Sequence, residues 1–166
     1  LVFITGCLYA EVIRGSDISV LLVNSYHRQF PWTEQITQSV RDHFEQFGPS
    51  CELFIEYMDT KRHDPKEIFP VFSRLFLEKY RSSKFDVIIT SDNNALNFAL
   101  QYREELFADV PLVFCGLNDF DEALLAEKQN ITGVAEDIDI KKTLDLALRI
   151  HPYTDTVAVI SDITES

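Results

Sequence analysis

The feature that most constrains the fold is a regular alternation of short apolar runs with segments of helical periodicity. Residues 18–23 (ISVLLV) form a continuous apolar run, as expected for a strand covered on both faces. Strands are predicted at residues 18–23, 51–57, 85–89, 110–114 and 131–134. Five helices are predicted between and after these strands. The inner face of the first helix carries Ile36, Val40, Phe44 and Phe47, and that of the second carries Ile68, Phe72, Leu75, Phe76 and Tyr80. The other three helices are predicted at 93–106, 122–128 and 139–150.

This alternation predicts an α/β fold with a parallel sheet and helices on both faces, because strands joined through helices pair in parallel by right-handed crossovers. The expected strand order is 2-1-3-4-5. In such sheets ligands bind beyond the carboxyl ends of the strands, beside the point where the order reverses. That edge holds residues 24–27, 58–60, 91–93 and 115–120.

Composition excludes several classes of function. The 166 residues are 46% hydrophobic, enough to bury the core of one domain. A net charge of −12 argues against a nucleic-acid partner, since such a surface repels phosphates. The five glycines form neither GxGxxG nor GxxxxGK, and the cysteines and histidines match no zinc pattern. We therefore expect no cofactor and no metal.

The first ten residues, LVFITGCLYA, are apolar but about half as long as a membrane span. LYA before Glu11 fits a cleavage site, and ITGC resembles a lipobox in which Cys7 would be acylated. A clipped membrane anchor or a packed tail are the alternatives. We interpret residues 1–17 as the remnant of a signal or anchor segment, so the domain is expected to be extracytoplasmic.

Two further expectations follow from the strand pattern. Cys51 begins the second strand and Cys115 follows the fourth, so they lie at opposite strand ends and are predicted to be unpaired. Residues 156–160 (TVAVI) are predicted to form another strand, which begins a second lobe. Because the helix at 139–150 carries the chain away first, we expect this strand to pair outside the first sheet, across a homodimer contact.

Three stretches carry a resemblance to a known family. VLLVNSYHRQFPW (20–32), FDVIITSDNNALNFAL (85–100) and VPLVFCGLNDF (110–120), with NITGVAEDIDIKKTLDLALRIHPYTDTVAVISD after them, resemble the ABC-type substrate-binding proteins of the type I periplasmic-binding fold. They are most similar to the version that serves as the extracytoplasmic sensor of bacterial receptors such as sensor histidine kinases. The resemblance implies a first ligand-binding lobe at 18–135 and the start of a second at 136–166.

The same resemblance implies a function in signal transduction. Family members close two lobes over a small ligand, and the full-length receptor is membrane-anchored through flanking segments and carries a kinase domain in a two-component system. The implied ligand is a small amino-acid-like or aromatic molecule. A solute-binding component of an ABC transporter is the alternative, and a flavodoxin-like enzyme is a third reading.

Asp92 and Asn93 are the leading ligand-binding candidates. They would bond a ligand amine or hydroxyl, whereas Ser91 or Asp92 alternatively caps the helix, which is worth ~1 kcal/mol. We expect Asp92, Asn93, Tyr26 and Asn118 to line one concavity.

Each of the remaining candidates also has a purely structural interpretation. Tyr26, Phe30 and Trp32 would stack on a ligand ring, or else staple the first helix to the sheet. His27 is interpreted as a loop histidine, and Asp119 and Asp121 as solvated charges. The predicted ligand-binding residues are Ser25, Tyr26, Trp32, Asp59, Asp92, Asn93, Asn118 and Phe120.

Enzymatic readings find no support in these residues. A receiver domain needs an acidic pair after the first strand and a lysine after the fifth, but Asn24-Ser25 and Ala135-Glu136 stand there. A serine hydrolase needs a GxSxG elbow, which is absent from the sequence. We predict that this segment is not an enzyme.

Overall fold

The structure is a computed structural model that describes residues 18–46, 50–118, 120–125, 128–136 and 139–160. It contains a five-stranded parallel sheet in the order β2-β1-β3-β4-β5, which confirms the predicted α/β topology. The strands are β1 (Ile18–Asn24), β2 (Cys51–Tyr57), β3 (Val87–Ser91), β4 (Leu112–Leu117) and β5 (Ile131–Ala135). The helices are α1 (Pro31–Glu45), α2 (Pro65–Lys79), α3 (Asp92–Gln101) and α4 (Ile140–Ile150).

Some predicted boundaries differ from the structure. The helix predicted at 93–106 ends at Gln101 and continues into a five-residue π-helical turn, Arg103–Phe107. That turn closes at Ala108, whose φ of 35° is unusual for a residue with a Cβ atom. The helix predicted at 122–128 is a short 3-10 turn, Glu122–Leu125. These are differences in element ends, which local packing decides.

An aromatic cluster forms the centre of the core on the α2 and α3 side of the sheet. Phe98 of α3 is fully buried, and its ring lies 5.5 Å from Phe69, 5.6 Å from Phe76 and 6.2 Å from Phe72, between centroids. Such ring pairs add about 0.5–1.5 kcal/mol each beyond the area they bury. This cluster fixes α2 against α3 and so positions the loops that precede both helices.

The buried stripe of α2 differs from the predicted one. The residues that face the core are Phe69, Phe72, Ser73 and Phe76, which recur at i, i+3, i+4 and i+7. Leu75 was expected inside and is 45% exposed. The three phenyl rings of this stripe reach Phe98, and that contact fixes the rotation of the helix.

The buried stripe of α1 is also shifted. Its two buried residues are Thr33 and Thr37, whereas the predicted Ile36, Val40 and Phe44 are half-buried and Phe47 lies outside the described residues. Each threonine hydroxyl is buried without a hydrogen-bond partner in the described part of the chain. Sequence periodicity missed this face because it counts apolar residues only.

A β-bulge interrupts the pairing of β4 with β5. The register shifts between Phe114 and Leu117, and Gly116 within this segment has a φ of +68°. A bulged residue with positive φ is commonly glycine, because a Cβ atom is strained there. The bulge redirects the end of β4 toward the start of α3.

Residues 156–160 do not form the predicted strand. The described residues 154–160 belong to no strand and are exposed, so the sheet ends at β5 without a sixth parallel strand beside it. Helix α4 is likewise exposed along its whole length. The predicted pairing across a homodimer contact therefore stays a prediction, as does the division into lobes. None of the helices that the structure describes is long and apolar enough to cross a membrane.

The thiols of Cys51 and Cys115 are free, as predicted. Cys51 is at the start of β2 and Cys115 is near the end of β4, with β1 and β3 between these strands. The prediction about Cys7 falls on residues 1–17, which lie outside the described residues.

Candidate functional site

Polar residues converge where the strand order reverses, between β1 and β3. Asn24 and Ser91 are register partners at the carboxyl ends of these strands, and both are fully buried. The chain leaves the sheet at Ser25 on one side and at Asp92 on the other. This is the crevice in which open parallel sheets bind ligands.

Ser25 caps α3 from a distant part of the chain. Its hydroxyl donates to the Ser91 carbonyl at 2.8 Å and accepts from the Ala95 amide at 2.8 Å. Ser91, one of the two residues considered as the cap of this helix, makes no side-chain capping bond. The predicted ligand residue Ser25 is therefore a buried structural link between β1 and α3. Ser25 and Ala95 are 70 residues apart in the sequence, so only the fold brings them together.

Asp92 is a buried carboxylate on unusual backbone. It is 3% exposed and has a φ of 69° at the first position of α3. The Trp32 indole Nε1 donates to its Oδ1 at 3.1 Å, and the Ser91 hydroxyl donates to its Oδ2 at 2.8 Å. Non-glycine residues at positive φ store strain and cluster at functional sites.

The surroundings of Asp92 raise its pKa to about 6. Burial is the main cause, and the negative charge of Glu136 adds to it. The hydrogen bonds from Ser91 and Trp32 and the positive charge of Lys61 lower the pKa, but they do not offset the burial. The two hydrogen bonds therefore do not compensate the loss of hydration that the charged carboxylate suffers in the folded state.

The bulge of β4 makes room for the Trp32–Asp92 pair. A Cβ atom on Gly116 would lie 3.4 Å from Trp32 Nε1 and 3.5 Å from Asp92 Oδ1. Cys115 precedes it, and burial together with the charges of Asp92 and Glu136 raises the pKa of that thiol to about 11. The thiol is therefore protonated at neutral pH and is a poor nucleophile.

Asn93 and Asn118 lock the start of α3 to the end of β4. The Asn93 amide nitrogen donates to the Asn118 carbonyl at 3.0 Å, and its Oδ1 accepts from the Asn118 backbone amide at 3.1 Å. Together with Phe120 they line a cavity of about 280 Å³. Tyr26 and Asp92 are not among its lining residues, so a concavity shared by all four residues stays a prediction.

The aromatic residues after β1 occupy different environments. Tyr26 is 2% exposed, and its ring meets the Phe30 ring edge-on at 5.0 Å between centroids. The ammonium of Lys61 lies 4.8 Å from the Tyr26 centroid, a cation–π distance. Trp32 is 38% exposed. Of the two predicted aromatic site residues after β1, Trp32 is thus the one accessible to a ligand.

Asp59 lies at the end of β2, on the rim of the same edge. Its φ is 58°, and its Oδ2 pairs with Arg62 at 3.2 Å. Its Oδ1 is 3.4 Å from His27 Nδ1, but neither of these buried atoms makes a hydrogen bond with the described residues.

Sequence reasoning missed the contribution of Thr60 and Asn94. The Thr60 hydroxyl donates to the Ser25 carbonyl at 2.9 Å and accepts from the Asn94 amide at 3.1 Å. Thr60 belonged to the predicted edge and Asn94 to the SDNN stretch, so their positions were available from the sequence. Their bond was not, because it joins residues 34 apart.

Comparisons with known proteins add nothing to the geometry of the site. No family model, curated protein or solved structure matches the chain. Within the described residues, no group of three or more histidine, cysteine or acidic side chains is placed to hold a metal ion. A cavity of about 700 Å³ with a mixed apolar and charged lining lies beside Phe85 and Val110, before β3 and β4 begin, at the end of the sheet opposite the polar residues.

Proposed function

We propose that this chain is the ligand-binding lobe of an extracytoplasmic sensor domain, of the kind that bacterial sensor histidine kinases carry. The ligand would bind at the carboxyl ends of β1, β3 and β4. The observation that carries the proposal is Asp92, which the fold keeps buried, on strained backbone, at the reversal of strand order. A carboxylate held at a cost in free energy is typical of a binding or reactive group.

The chemistry of the site favours a ligand with a positively charged amine. Glu136 is close enough to Asp92 for its negative charge to raise the pKa of Asp92. A ligand ammonium would compensate both charges, and the exposed part of the Trp32 ring offers an apolar and cation-attracting surface beside it. The proposed ligand is accordingly a small amine, such as an amino acid or an aromatic amine.

Trp32 provides a direct reporter of binding, because it is the only tryptophan and bonds to Asp92. The chain is titrated with L-phenylalanine, phenethylamine and 3-phenylpropionate while its fluorescence is recorded. The two amines should change the emission saturably, whereas phenylpropionate, which lacks the amine, should not.

Variants test whether Asp92 holds the amine. Asp92→Asn should weaken binding about tenfold or more, the effect of losing one charge-assisted hydrogen bond. Asp155→Asn makes the same chemical change at an exposed position after α4 and should leave the affinity unaltered. Equal affinity of the Asp92 variant, or no saturable response to amines up to about 10 mM, would contradict the proposal.

A further inference from the structure

A second polar groove lies between the β2–α2 loop and α3. Its volume is about 670 Å³, within the range of small-molecule sites. One wall carries four basic side chains, Lys61, Arg62, His63 and Lys66. Asp92 and Trp32 do not line it, so it is a different surface from the amine site proposed above, although the charge of Lys61 also acts on Asp92.

The charge of this wall is opposite to that of the whole chain. The chain has a net charge of −12, yet the groove is lined by four basic side chains and a single carboxylate, Asp64. Asp64 is already engaged, because its Oδ1 accepts the Lys66 backbone amide at 2.8 Å and caps α2. Arg62 also pairs with Asp59, which is not among the lining residues.

The facing wall is a row of side-chain amides on α3. Asn94, Asn97 and Gln101 line the groove, and their spacing of i, i+3 and i+7 places them on one face of the helix. Asn94 is held by its bond to Thr60 at 3.1 Å, and Asn97 is exposed. Amide N–H groups donate hydrogen bonds to oxyanions without adding charge.

The base of the groove is apolar. Phe69 lines it and is 6% exposed, with its ring against Phe98 in the core. The base is therefore rigid, since it belongs to the aromatic cluster that fixes α2 against α3. A ligand in this groove would meet cations on one side, amide donors on the other and an apolar surface below.

We propose that this groove binds the oxyanion of a small molecule, either a carboxylate or a phosphate ester. Cationic and amide donors on facing walls match the acceptor-only chemistry of both groups. The groove is a local feature on an acidic protein, so a nucleic acid strand would be repelled outside it.

The proposal is tested by calorimetric titration of the whole chain with inorganic phosphate and with citrate, at matched ionic strength in chloride. Either anion should bind saturably, and the stronger of the two identifies the class of oxyanion. Lys66→Gln and Asn97→Asp should each weaken binding about tenfold, the first by removing a charge and the second by adding a like charge to the amide wall. Both positions are exposed, so the fold should persist.

Lys84→Gln is the matched control, because Lys84 precedes β3 at the other end of the sheet. Its affinity should stay within about twofold of the unsubstituted chain, since surface charges beyond a Debye length are screened. Two results would overturn the proposal. One is no saturable heat with either anion up to about 10 mM. The other is equal weakening in all three variants, which would mean that the anions respond only to net charge.

Discussion

Asp92→Asn should make the fold more stable at pH 8 while leaving it unchanged near pH 3. Asparagine keeps an acceptor for the Trp32 indole, and its amide can donate to the Ser91 hydroxyl in place of the bond that the carboxylate accepts. It is also among the residues that tolerate the φ of 69° at this position. The substitution therefore removes the negative charge and little else.

The magnitude follows from the pKa of Asp92, which burial raises from 3.8 to about 6. Between these values the folded state keeps a proton that the unfolded chain has released. The stabilising contribution of the protonated group is thus complete below pH 3.8 and is lost as the pH rises through 6. At about 1.4 kcal/mol per pKa unit, the charged carboxylate destabilises the fold by roughly 3 kcal/mol above that range. The Asp92→Asn variant should recover most of this.

Urea denaturation at several pH values between 3 and 8 measures the effect. The difference in unfolding free energy between Asp92→Asn and the unsubstituted chain should grow as the pH rises through 6 and then stay constant. The charge of Glu136 raises the pKa of Asp92 and that of Lys61 lowers it, and Cys115 stays protonated in this pH range. These three groups should therefore not cancel the pH dependence of the stability difference. Asp155→Asn should show no such pH dependence. An Asp92→Asn variant that is no more stable at pH 8 than the unsubstituted chain would refute the reasoning.

Three substitutions test the packing around the site by urea denaturation. Gly133→Ala should cost about 3 kcal/mol or more, because its Cβ atom would clash with the backbone oxygen of Phe114 in β4; a cost under 1 kcal/mol would mean that β5 can move away. Ser25→Ala should cost about 2 kcal/mol through the lost cap at Ala95, and retention of full stability would exclude that cap. Tyr80→Phe should cost about 1.5 kcal/mol through its hydrogen bond to Glu56, with unchanged unfolding as the contrary result.

The sequence predicted the sheet order and the residues at its carboxyl edge. It did so because continuous apolar runs and right-handed crossovers leave few arrangements for a chain of alternating strands and helices. The positions of Ser25, Asp59, Asp92 and Asn118 at strand ends were confirmed for the same reason. Residues 156–160 were read as a strand from their apolar run, but among the described residues they pair with no strand. Their pairing across another subunit stays a prediction.

Contacts between distant segments lay beyond the reach of the sequence. Periodicity assigned Ile36 and Leu75 to buried faces, but helix rotation is set by contacts such as Trp32 with Asp92, 60 residues apart. The basic segment 61–66 was not among the predicted site residues. Its proximity to the amides of α3, which creates the groove proposed to bind oxyanions, depends on the packing of α2 against Phe98.

The sequence by itself determined the α/β class, the strand order and the edge at which polar residues gather, because each depends on local periodicity and on the handedness of the connections. Only the tertiary structure decided which of these polar groups cap helices, which are strained and which face open grooves. Ser25 and Asp92 show the difference. Both are small polar residues after a strand, yet one saturates its hydroxyl with backbone partners, and the other has its pKa raised to about 6 by burial. Burial and long-range hydrogen bonding assign these roles, and both depend on neighbours that are far away in the chain.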